Sequence, residues 1–100
     1  MLDVKKELNG DTLTVTLTGR LDTVTAPQLE EELKDSISGV KSLIFDIKAL
    51  EYVSSAGLRV FLSNQKLMNK QGHMKLVGPT EDVKEIFNVT GFMDILTIED

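Results

Sequence analysis

Apolar positions along the chain change period several times, and each change marks an element. From Leu13 to Leu17, Leu13, Val15 and Leu17 alternate with Thr14, Thr16 and Thr18, the period of two expected of a strand with one buried face. The other face is hydroxyl-rich and uncharged, so water can reach it. Val4 to Leu8 reads as a partner strand, because the intervening Asn9-Gly10 tolerates the positive φ angles of a type I′ hairpin turn. Beyond Thr25 the period lengthens. Leu29, Leu33 and Ile37 recur every four residues while Glu30, Glu31, Glu32, Lys34 and Asp35 face outward, which predicts a helix. Thr25 and Gln28 have the spacing of a capping box, Pro27 lies in the first turn where its missing N–H does no harm, and Gly39 closes the element.

Ser42-Leu43-Ile44-Phe45 is a continuous apolar run ending at Asp46, the pattern of a central strand covered on both faces and joined by crossover helices. After an Ala49 to Val53 segment, a helix from about Ser55 to Met68 buries Leu58 and Phe61 and stops near Gly72. Met74 to Val77 forms a short strand that Gly78-Pro79 breaks. Thr80 then caps a last helix, where Glu81 and Asp82 favour the positive end of the dipole and Val83, Ile86 and Phe87 form the buried stripe up to Gly91. Ile95 to Ile98 supplies a final strand. The order predicts one α/β domain over residues 1–100, a mixed β-sheet opened by an N-terminal hairpin, with packed α-helices and right-handed crossovers.

Composition narrows the function classes. The chain of 100 residues has no cysteine, so disulfides, thiolate metal ligation and thiol nucleophiles are excluded, and a reducing cytoplasm is the expected location. Met1 to Lys6 leads into a polar strand rather than an apolar leader, and no apolar run approaches membrane-spanning length, so membrane insertion is not expected. A net charge of -5 without a basic stripe repels nucleic acid and anionic lipid, which favours a protein partner over direct nucleic-acid binding. His73 is the single histidine, too few for a metal cluster or a histidine-based triad. The carboxylates fall on outward faces, and neither a Walker loop nor a dinucleotide fingerprint is present. No catalytic residue, metal or cofactor is therefore expected, and the chain does not read as an enzyme.

The run Asp46 to Leu58 places Ser54 and Ser55 where a strand turns into a helix. Serine at a helix start ordinarily caps it, its oxygen accepting from an N2 or N3 amide. The same position suits a phosphoryl group, because unpaired N–H groups and the helix dipole favour negative charge there. Both roles are open to this pair.

Gly19-Arg20-Leu21-Asp22, Ala26-Pro27-Gln28-Leu29, Leu43-Ile44-Phe45-Asp46, Tyr52-Val53-Ser54-Ser55-Ala56-Gly57-Leu58 and Thr90-Gly91-Phe92 together resemble a STAS domain, specifically a bacterial anti-sigma-factor antagonist. The resemblance spans nearly the whole chain in order. It implies partner switching: the unphosphorylated antagonist binds an anti-sigma factor serine kinase and releases a sigma factor, phosphorylation ends the binding, and a serine phosphatase restores it. Ser55 matches the family's phosphoacceptor, Asp22 an acidic residue on the neighbouring loop, and Gly57 the motif glycine that lets a partner or the adjacent loop come close. With Ser54, these residues form the partner-binding surface that the resemblance implies, with Gly57 exposed on it. Ser54 stands where the family commonly has aspartate, and Ala56 where a second small hydroxyl residue is common. Two alternatives remain: a STAS accessory subunit of a membrane transporter, as in a lipid-trafficking ABC complex, and a small nucleotide-binding or hydrolytic protein.

Overall fold

The computed structural model describes residues 1–100. Its elements are β1 (Leu2–Asn9), β2 (Thr12–Leu21), α1 (Ala26–Lys34), β3 (Ser42–Val53), α2 (Ser55–Gln71), β4 (His73–Val77), α3 (Glu81–Thr90), a single 3-10 turn at Phe92–Asp94, and β5 (Ile98–Glu99). The five strands lie in the order β1-β2-β3-β4-β5; the first pair is antiparallel and the other three pairs are parallel. This is the mixed α/β sheet expected from the element order.

The hairpin forms one residue later than Asn9-Gly10 predicts. Asn9 pairs with Thr12, leaving Gly10 and Asp11 as the two turn residues. Gly10 has φ +66° and no non-glycine residue in the chain has positive φ. A positive φ at the first turn residue alone belongs to a type II′ turn, not the type I′ turn, which needs it at both.

Every crossover moves to the next strand in the same direction, and right-handed connections of that kind lay successive helices on one face of the sheet. Burial follows. Leu13, Val15, Leu17, Leu43, Phe45, Ile47, Met74 and Leu76 are buried, whereas the alternating Thr14, Thr16, Ile44, Asp46, Lys75 and Val77 are only half-buried. The apolar run in β3 is therefore covered on one side, not two. Its strand also continues past Asp46 to Val53, a span of 12 residues, because β2 accompanies it through two register shifts, between Thr16 and Thr18 and between Gly19 and Arg20.

Three phenylalanines join the layers. The rings of Phe45 on β3 and Phe61 on α2 meet edge-on at 5.1 Å, and Phe61 meets Phe87 of α3 at 6.3 Å, both favoured aromatic geometries. Around them lies a continuous apolar cluster drawn from all three helices and four strands. At the start of α3 the Thr80 side chain accepts from the Val83 N–H, as predicted, and Gly91 ends the helix with φ +80°. The last strand is shorter than Ile95 to Ile98 predicts, since Phe92–Asp94 forms a 3-10 turn and only Ile98 and Glu99 pair with β4.

Candidate functional site

β2 and β3 run parallel and end together, at Leu21 and Val53, and the Ser54 N–H donates to the Leu21 carbonyl at 2.8 Å. That bond sets the turn after β2 beside the start of α2. The site is the C-terminal edge of these two strands, where both chains leave the sheet for their helices.

On the β2 side the residues Asp22 to Thr25 form a closed turn. One Asp22 carboxylate oxygen, Oδ1, accepts from the N–H groups of Val24 and Thr25, each at 3.0 Å. The buried Thr25 hydroxyl accepts from the Asp22 N–H at 2.8 Å and lies 2.8 Å from the Arg20 carbonyl and 3.1 Å from Asp22 Oδ1. These contacts replace the capping box read from Thr25 and Gln28. Thr25 makes no side-chain cap bond, and the Gln28 amide donates instead to the Leu2 carbonyl at 3.2 Å. The reason is local: an aspartate three residues earlier can bond the same amides in an Asx turn. Backbone donation from Thr25, above all, holds the Asp22 carboxyl below the ordinary carboxylate range; the Thr25 hydroxyl and the Val24 amide act in the same direction and desolvation opposes them.

On the β3 side the two serines differ. Ser54 is the N-cap, in extended backbone conformation, with Oγ accepting from the Gly57 N–H at 3.3 Å and its carbonyl accepting from Leu58 at 2.9 Å. It is half-buried. Ser55 is the first helical residue, is exposed, and its hydroxyl has no hydrogen-bond partner. One hydroxyl is thus committed to the helix and its neighbour faces solvent at the helix's positive end.

The expected exposure of Gly57 is overturned. Gly57 is buried, and a Cβ there would lie 2.7 Å from Leu21 Cγ, 2.9 Å from Leu21 Cδ2 and 3.0 Å from Val53 Cγ1. Of the two approaches its missing side chain allows, the structure shows that of the adjacent β2 and β3 ends. Asp22, Ser54 and Ser55 do come together at the strand ends, with Asp22 half-buried and Ser55 exposed. His73 opens β4, and its Nε2 is 3.0 Å from Ser42 Oγ across the β3–β4 rung, at the opposite end of β3 from Ser54 and Ser55.

The sequence reading missed Arg20 as a neighbour of the site and gave Thr25 a different role. Arg20 stacks over Tyr52, its guanidinium carbon 4.5 Å from the ring centroid, a pairing that only the β2–β3 register reveals. Thr25 was legible as a polar residue in Asp-x-x-Thr spacing after a strand, which is a turn signal in its own right. No helix in the structure is long and apolar enough to cross a membrane.

Known proteins share this fold. The anti-sigma-B factor antagonist of Bacillus subtilis (strain 168) is 34% identical over 98 residues, covering 97% of this chain and 88% of that protein. A crystal structure of an anti-sigma factor antagonist from Mycobacterium paratuberculosis superposes with a TM-score of 0.89 at 21% identity, over 99% of this chain and 86% of the other. The phosphorylated form of the Bacillus cell fate determinant SpoIIAA gives a TM-score of 0.74 at 19% identity, over 96% and 90% of the two chains. With the STAS domain pattern matching residues 3–100, essentially its entire length, the chain belongs to the STAS domain family.

Proposed function

We propose that this protein is an anti-sigma-factor antagonist that works by partner switching, with Ser55 as its phosphoacceptor. The observation that carries this reading is the division of labour between the serines: Ser54 caps α2, which leaves the Ser55 hydroxyl exposed and unbonded. The name of the Bacillus subtilis relative supports the regulatory role. In the unphosphorylated state the surface formed by Asp22, Ser54 and Ser55 engages an anti-sigma factor serine kinase, which then releases its sigma factor. Gly57 contributes from beneath, by letting the start of α2 close on Leu21 and Val53.

The kinase supplies ATP, the metal ion and the clamping groups. Ser55 Oγ attacks the γ-phosphorus, the bond to the ADP oxygen breaks, and the hydroxyl proton passes to a base of the kinase. The product carries about -1.5 to -2 charges at neutral pH on a chain whose net charge is already -5. At a close-packed interface that charge brings repulsion and desolvation cost, so the complex separates. Water delivered by a serine phosphatase cleaves the phosphoester and restores the hydroxyl. No refolding is required, because the modified oxygen has no structural bond to lose.

Incubation with the cognate kinase and ATP, followed by tandem mass spectrometry, tests the assignment. One phosphate is expected, on Ser55; Ser55→Ala abolishes it while retaining kinase binding, and Ser54→Ala remains a substrate. Phosphate on Ser54 alone would move the switch by one residue. Absence of phosphate from both, with the kinase active on another substrate, would favour the transporter-subunit alternative.

A further inference from the structure

We propose that Arg59 is the built-in counter-charge for a phosphoryl group on Ser55, an inference that rests on Ser55 being the acceptor. Ser55 and Arg59 are both exposed on α2, and residues four apart on a helix are surface neighbours. Helical side chains lean toward the N-terminus, so a long residue covers the turn preceding its own Cα. Arg59 therefore overlies the turn that Ser55 begins. An anion N-terminal to a cation at this spacing is also the more favourable order of the two.

The guanidinium is free to take the role. Lys6, Lys75 and Lys84 are paired with Glu32, Glu99 and Asp100, and Arg20 is stacked on Tyr52. Arg59 makes neither an ion pair nor a side-chain hydrogen bond, although it lines a shallow cleft between α1 and α2 with Thr23, Ala56 and the carboxylate-bearing Glu30. A planar fork of donors on an unpaired side chain matches two phosphate oxygens at once, which a lysine cannot do. Of the other charges near this end of α2, Asp22 after β2 and Glu30 on α1 oppose the phosphate, and the cationic Arg20 is held on Tyr52. Arg59 is the cation that α2 itself places one helical turn from Ser55. Held in this way, the phosphate remains on the surface of the free protein, partly neutralised and shielded from hydrolysis, until the phosphatase displaces the arginine.

The test uses the full chain with phosphoserine incorporated at position 55 during translation, so no kinase is involved. Phosphorus NMR follows the second ionisation of the phosphate in wild type, Arg59→Gln and Arg59→Lys. Wild type should bind the phosphate proton about threefold or more weakly than Arg59→Gln, the direction a neighbouring cation imposes, with Arg59→Lys between them because its charge remains and its fork is lost. Superposed curves for all three proteins would overturn the proposal. That result leaves the choice of acceptor serine untouched, and a kinase that ignores Ser55 leaves this titration unchanged, so the two failures are distinguishable.

Discussion

At the scale of single residues, Asp22 shows how a side chain read as a surface feature also belongs to the scaffold. Its identity as a candidate was legible from family resemblance, but its hydrogen bonds to Val24 and Thr25 depend on a turn geometry that periodicity does not encode. Since its folded pKa lies below the ordinary value, ionised Asp22 stabilises the fold. The contribution is fully present above the unfolded-state pKa of about 3.9 and is lost as pH falls through the lower folded value. Asp22→Asn retains an acceptor oxygen without the titrating charge. Wild type should therefore lose more stability than Asp22→Asn as pH is lowered below about 4, the carboxylate reference value, as read by urea midpoints across the acid range. Parallel acid limbs would remove Asp22 from the turn's electrostatic support.

Among the elements, α2 decides whether the site exists, and Gly57 decides how closely α2 approaches the strand ends. The sequence marks the helix start clearly, because Ser54-Ser55 follows an apolar strand. It does not reveal which side of the helix Gly57 faces, since exposed and buried glycine look alike in one dimension and only the β2–β3 register brings Leu21 against it. The same limit explains β3: a continuous apolar run fits either one or two covered faces, and the direction of the crossovers settles the number. Gly57→Val would force three carbons into the contact with Leu21 and Val53. Overpacking of that kind costs about 1–3 kcal/mol, more than the few tenths, roughly, that valine gains over glycine in helix propensity. Thermal melts should show a lower midpoint, by about 4–8 °C per kcal/mol for a domain this small. An unchanged midpoint would mean that α2 does not close on the strand ends as described.

For the whole molecule, the singly wound sheet concentrates the core on one face and makes that core answerable for stability. Phe45, Phe61 and Phe87 are each fully buried and bind β3, α2 and α3 into one unit, so the surface that presents Ser55 rests on the same packing that holds the fold. These residues were legible: the apolar run marks Phe45 and helical spacing marks Phe61 and Phe87, although their edge-on contacts required the tertiary structure. Phe45→Ala removes the β3 end of this chain of rings and should cost about 3–5 kcal/mol. Against a total stability of about 5–15 kcal/mol for a typical domain, that is a large fraction, and it falls on the whole protein rather than on one helix. Urea titrations followed at once by far-ultraviolet and near-ultraviolet circular dichroism should shift together, with the slope retained and the midpoint lowered. If the near-ultraviolet signal melts first, α2 and α3 depend on Phe45 separately from the sheet; a loss below about 1 kcal/mol, the scale of ordinary surface substitutions, would place Phe45 outside the core and dissolve the link between packing and the display of Ser55.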